Sequence, residues 1–151
     1  MRRSEMKHVL GVDPGGHTGL ALVDHSGTIL SAAVVSGLRD LEKEWSKLAP
    51  EAEIVYCEEY TVYGAFTREA MDTIKTIGVI EYLAYRDGLP IQFRLAGSRK
   101  GYLWIVEKRL RYFSLPSKTD YPHIRDAYSH ALAGMRAGPA SDEVEEYLKS
   151  L

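Results

Sequence analysis

The feature that most limits what this chain can become is a short apolar run, residues 8–12, halted by Asp13-Pro14-Gly15-Gly16. Such a run reads as a buried strand, and the proline and glycines after it force a tight turn. Residues 18–24 and 28–35 are two further strand-like runs, joined through His25-Ser26-Gly27 as a hairpin. Three strands before any helical period mean that an antiparallel sheet is laid down first. A helical period then takes over. Apolar residues at 38, 41, 45 and 48 predict a helix over 38–48, ended by Pro50. Residues 54–59 predict a buried strand that runs into two carboxylates. The apolar spacing over 67–87 predicts a long helix closed by Asp87-Gly88, and Pro90 leads into a strand over 91–95. A helix over about 98–113 and another from near Pro122 to Gly138-Pro139 follow, and the acidic stretch 141–151 reads as a tail or a short helix. The order β-β-β-α-β-α-β-α-α predicts an α/β chain with a mixed five-stranded sheet. Strands 1–3 are antiparallel, and strands 4 and 5 are added through helices that flank the sheet.

Composition narrows the class further. The 151 residues, 45% apolar and 26% charged, suit one domain spanning 1–151 with a hydrophobic core rather than a disordered chain. A single cysteine, Cys57, cannot form an internal disulfide, and its strand position reads as simple burial. No apolar run approaches the roughly 18 residues of a membrane span, and the basic start at 1–7 lacks a cleavage-site pattern. A cytoplasmic protein with no membrane partner is the default reading. The net charge of −2 argues against a chain that binds nucleic acid by being basic throughout. That balance is uneven along the chain, however. Residues 94–118 hold seven basic side chains against one acidic, a net of +6, with Tyr102, Trp104, Tyr112 and Phe113 interleaved, whereas 40–59 nets −5. A phosphate backbone would bind the basic segment, through Arg99 and Lys100 first and then Lys108 and Arg109. The plainer alternative is a solvated helix face.

Acidic residues mark the chemistry. Asp13 ends the first strand beside glycines that allow close approach to the backbone. Glu58 ends the fourth, on the face it shares with Ile54 and Tyr56, while Glu59 faces the other way and is only a reserve ligand. His123 and Asp126, at i and i+3, project from one side of the last long helix. If strands 1 and 4 are neighbours, all four side chains converge. Crowded carboxylates need cations, and oxygen donors with one imidazole suit Mg²⁺ or Mn²⁺ better than zinc. Two such ions about 3.5–4 Å apart clamp the attacking and leaving oxygens of a phosphodiester displacement. The pattern suggests a metal-dependent nuclease, although each residue alone has an ordinary structural reading as a turn former or helix-terminal charge.

Taken together, the motifs resemble a family. Gly11-Val12-Asp13-Pro14-Gly15-Gly16-His17-Thr18-Gly19 resembles the opening motif of the RuvC-like Holliday-junction resolvases of the ribonuclease H-like superfamily. Val55-Tyr56-Cys57-Glu58-Glu59 resembles that family's second acidic strand, and the stretch from His123-Ile124-Arg125-Asp126 to Ala133 its terminal catalytic helix. Ala96-Gly97-Ser98-Arg99-Lys100 is similar to its basic loop. The likeness covers most of residues 8–135, with the motifs in order. It implies a ribonuclease H-like fold and a homodimer that cuts four-way DNA junctions symmetrically with Mg²⁺, two ions being held and Mn²⁺ able to substitute. Asp13, Glu58, His123 and Asp126 would be metal ligands, with His123 either a ligand or the group that handles the proton of the attacking water. Lys100 would sit by the scissile phosphate. The chain departs from the pattern in three places. The helix between strands 3 and 4 is shorter, the turn after Asp13 is tighter by one residue, and Thr61 stands where the family often has a junction-stacking aromatic. Tyr60 and Tyr63 are the nearest substitutes.

Other histidines suggest little in the sequence: His17 and His25 fall at turns, and His130, one turn after Asp126, reads as a helix-surface residue, with a supporting place behind the metal ligands as the alternative. The stripe Ile74, Ile77, Ile80, Leu83 and Ala84 reads as core rather than interface. Three rival functions remain at this stage. One is half of an actin-like or sugar-kinase ATPase, which needs a second related domain to clasp its nucleotide. Another is a quiet nucleic-acid-binding domain, which gains nothing from four convergent ligands. The third is a different ribonuclease H-like nuclease acting on flaps, other branched DNA or RNA–DNA hybrids.

Overall fold

A computed structural model of the chain describes residues 8–60, 64, 66–113 and 117–137. Five strands form one sheet: β1 His8–Asp13, β2 His17–Val23, β3 Ile29–Ser36, β4 Ala52–Glu59 and β5 Ile91–Leu95. Their spatial order is β3-β2-β1-β4-β5. The pairs β1·β2 and β2·β3 are antiparallel, whereas β1·β4 and β4·β5 are parallel. Among the described residues four α-helices accompany them: α1 Leu38–Leu48, α2 Arg68–Arg86, α3 Leu103–Leu110 and α4 Tyr121–Ala137. The mixed five-stranded α/β arrangement expected from the sequence is therefore present, with strands 1 and 4 side by side.

Period-2 alternation divides the sheet between two cores. Leu10, Val12, Leu20, Leu22, Val55 and Cys57 pack against α1 and α2 through Leu41, Trp45, Ile80 and Leu83. On the opposite face Val9, Ala21, Val23 and Tyr56 pack against α3 and α4 through Ile105, Val106, Ala127, Tyr128 and Leu132. Glycines let α4 press closely on its side. A Cβ at Gly11 would overlap the Ala127 carbonyl oxygen, one at Gly19 the His123 carbonyl oxygen, and one at Gly134 the Tyr56 ring. The Tyr128 hydroxyl donates to the Gly27 carbonyl in the β2–β3 turn and ties down the middle of the helix.

Local chemistry ends the elements where the sequence expects. Asp24 Oδ1 accepts from the Ser26 and Thr28 amides in the β2–β3 turn. The Thr67 hydroxyl oxygen caps α2 by accepting from the Ala70 amide at 3.1 Å. Gly88, at φ 69°, takes the left-handed conformation just past the end of α2. The exception is the helix expected over 98–113. Residues Ala96–Tyr102 form a 3₁₀ segment, and α-helix covers only Leu103–Leu110. Gly97 and Gly101 weaken an α-helical start, and the tighter 3₁₀ ladder replaces it. The acidic stretch 141–151 lies outside the described residues. No helix among the described residues is long and apolar enough to cross a membrane.

Candidate active site

Register places the first two carboxylates. Val12 pairs with Cys57 across the parallel β1·β4 ladder, so Asp13 and Glu58 end adjacent strands. Both belong to the alternation set that faces α4. Ligands of open α/β sheets commonly gather at the carboxyl ends of parallel strands, where these two groups stand. The first turns of α4 bring His123 and Asp126 over that edge, because Gly19 admits the helix backbone at His123.

The resulting contacts are specific. His123 Nδ1 lies 3.3 Å from Asp13 Oδ2. Asp126 Oδ1 accepts from Arg125 Nε at 3.0 Å and lies 3.6 Å from Arg99 Nη1. His130 Nε2 is bonded to Glu58 Oε2 at 2.8 Å. His17, at the start of β2, stacks obliquely on His123 with ring centroids 5.8 Å apart, and its Nδ1 is 2.6 Å from Ser36 Oγ. Asp13 registers the crowding. Burial first, then the charges of Glu58 and Asp126, push its carboxyl up to about 8, against a smaller opposing pull from Arg99 and Arg125.

The donor set fits a hard divalent cation: three carboxylates and one imidazole, with Asp13 raised by burial first and then by the charges of Glu58 and Asp126. The side chains are not already closed into a cage. Among the described residues, no three His, Cys, Asp or Glu side chains gather round one point as an ion requires. Asp126 instead faces Arg99 and Arg125, and Asp13 bonds His123. Both arginine contacts fall on Oδ1 of Asp126.

Of the residues singled out in the sequence, Asp13, Glu58, His123, Asp126 and Arg99 meet in this one place. Lys100 is exposed on the 3₁₀ segment beside Arg99, and among the described residues its side chain makes no ion pair. Lys108 is exposed on α3, whereas Arg109 is half-buried and its charge is felt by the Tyr128 hydroxyl. Tyr60 is exposed just beyond β4, beside a cavity of about 320 Å³ lined by Glu59, Ile74, Ile77 and Phe93, and Tyr63 lies outside the described residues. Glu59 is turned to that other face of the sheet, as its strand parity requires. Cys57 is buried, and burial pushes its thiol up, away from reactivity.

Two expectations need correction. His130 is no surface residue; it has 0% exposure and reaches Glu58. Arg125, which the sequence reading gave no role, is a partner of Asp126. The signal for His130 was present in its spacing, since 123, 126 and 130 fall on one side of a helix. The α2 stripe also divides, with Ile80, Leu83 and Ala84 buried and Ile74 exposed.

The sheet order, the crossing helix and the strand-end carboxylates define a ribonuclease H-like fold, and comparison with solved structures agrees. Thermus thermophilus RuvC in complex with a Holliday-junction substrate superposes with a TM-score of 0.67 at 21% identity, covering 87% of this chain and 94% of that one. The fowlpox virus resolvase in complex with Holliday-junction DNA gives 0.57 at 10% identity, with 86% and 99% covered. The chain thus has the fold of the RuvC-type resolvases. No protein-family model and no curated protein sequence matches it.

Proposed function

We propose that this chain is a divalent-cation-dependent endonuclease that resolves four-way DNA junctions, acting as a homodimer that makes paired symmetric cuts. The observation that carries the reading is the convergence of Asp13, Glu58 and Asp126 under the start of α4, where burial first, and then the two neighbouring carboxylates, push Asp13 up to about 8. Such crowding brings folding no benefit and suits cation binding. Asp13, Glu58 and Asp126 would hold Mg²⁺, as two ions, with Mn²⁺ able to substitute, and His123 would be either a further ligand or the group that takes the proton of the attacking water. Ions held there would supply a nucleophilic water near neutral pH and charge compensation at the phosphate.

The chain's own groups do the rest. With Asp13 ionised, His123 Nδ1–H donates to Oδ2, which leaves Nε2 to take a proton from the attacking water. Arg99 faces the carboxylates now and is the cation best placed to meet a scissile phosphate, with Lys100 beside it. Lys108 and Arg109 would extend the basic track along the backbone, and Tyr60 and Tyr63 would stack on bases at the branch point. The likeness to two resolvases solved with Holliday-junction DNA supports the substrate class. An exposed α2 stripe supports the dimer. Met71, Ile74, Tyr82 and Tyr85 recur at helical spacing about Gly78, which faces open space. Pairing across a two-fold axis gives two sites for two matching cuts.

The test is a substrate panel: a mobile four-way junction, a flap, a linear duplex and an RNA–DNA hybrid, each with and without Mg²⁺. Mg²⁺-dependent paired nicks in the junction are expected. Cleavage of the hybrid or flap alone would assign another nuclease of this fold, and ATP hydrolysis without cleavage would overturn the nuclease reading.

A further inference from the structure

His130 lies deeper than the residues that face the cleft. It is wholly buried on the sheet side of α4, one turn beyond Asp126, and its ring reaches across to the end of β4, 72 residues away in sequence. Its Nε2 is 2.8 Å from Glu58 Oε2, while its Nδ1 is buried with no hydrogen-bond partner. That asymmetry assigns the tautomer. A carboxylate only accepts, so Nε2 carries the proton, and a proton on Nδ1 would be an unpartnered buried donor. Arg94, opposite Glu58 on β5, has a buried and unpartnered Nε and does not pair with Glu58. Among the described residues His130 is therefore the only side-chain hydrogen-bond partner of Glu58, and the other carboxylate oxygen accepts none.

We propose that His130 is a positioning residue for Glu58: its Nε2–H fixes one carboxylate oxygen and leaves the other oxygen free for a cation. This rests on the reading of Glu58 as a metal ligand. The physical gain is preorganisation. A glutamate side chain at a strand end samples several rotamers, and a rigid donor held by the core selects one before the ion arrives. Partners of this kind, which orient a ligand without touching the metal, are commonly worth about 10–100-fold in metal affinity.

The experiment is calorimetric titration of the metal-free full chain with Mn²⁺, without DNA, for the wild type, His130→Leu and His130→Gln. His130→Leu is expected to weaken Mn²⁺ binding by about 10-fold or more. His130→Gln, whose amide still donates, is expected to restore most of that loss, and junction binding in EDTA is expected to be unchanged. Long-range ¹H–¹⁵N spectra of the wild type are expected to place the imidazole proton of His130 on Nε2, and this readout applies whether or not His130→Leu folds. Wild-type Mn²⁺ affinity in His130→Leu, or a proton on Nδ1, would overturn the role of His130 alone. Failure of the wild type to take up Mn²⁺ would overturn the metal reading, and the proposal with it.

Discussion

Asp13 is the side chain whose surroundings say most about the chemistry. Its carboxyl is pushed from an ordinary 3.8 up to about 8, so the folded, metal-free chain keeps a proton there that the unfolded chain has already released. Stability then falls as pH rises between these two values and levels off above the upper one, because the folded state binds more protons throughout that window. In EDTA, the melting temperature is expected to drop between about pH 5 and pH 8 through this group, and Asp13→Asn should flatten the drop. Mg²⁺ should raise the melting temperature more at pH 8 than at pH 5, since ionised Asp13 is the form that binds. A flat wild-type profile, or one unchanged by Asp13→Asn, would contradict this. The face of Glu58 was legible in the sequence, because strand parity puts it with Tyr56 and Ile54, whereas its place beside Asp13 depended on strands 1 and 4 being neighbours. The place of His130 was harder to read. Its spacing puts it on the side of His123 and Asp126, but whether that position is buried against the sheet or left at the surface is decided only by packing.

At the level of elements, α4 is the part that assembles the site, since it carries His123, Asp126 and His130 together. Its height above the sheet is set by Gly11, Gly19 and Gly134. Gly19→Ala puts a methyl into the His123 carbonyl oxygen, where only backbone movement can relieve the overlap. A loss of about 1–3 kcal/mol in unfolding free energy is expected. The activity loss should be larger than the stability loss implies, because the displaced segment holds two proposed ligands. Denaturant unfolding and cleavage rates measured on the same preparation check both, and Gly78→Ala on the open face of α2 serves as the control. Nothing in the sequence marks these glycines as packing positions; their role is visible only once the helix lies across the sheet. The same limit explains the segment after β5. Hydrophobic spacing over 98–113 fitted one helix, but Gly97 and Gly101 tip its first half into a 3₁₀ ladder that turns Arg99 toward Asp126 and leaves Lys100 exposed.

Across the whole molecule, strand order was the most legible feature. Three strands in hairpin sequence followed by helix-linked strands leave few arrangements other than β3-β2-β1-β4-β5 once connections are kept short and right-handed. The proposed dimer face was less legible, because α2 has one apolar side in the core and another in solvent, and periodicity merges the two. Replacing Ile74 and Tyr82 together by glutamate should convert a dimer into a folded monomer in sedimentation experiments. The monomer should make single rather than paired nicks. The formal charge of −2 likewise conceals a basic segment offset by acids, some of them clustered at the site.

The most direct measurement is nick mapping on a four-way junction labelled in turn on each strand, in Mg²⁺ and in EDTA, with the wild type, Asp13→Asn and Asp126→Asn. The expected result is a pair of symmetric nicks for the wild type in Mg²⁺ and none in EDTA. Each variant should bind the junction but cut it about 100-fold more slowly or worse. Normal cutting by Asp126→Asn, or wild-type cutting that persists in EDTA, would contradict the assignment of this carboxylate cluster as a metal-dependent nuclease site.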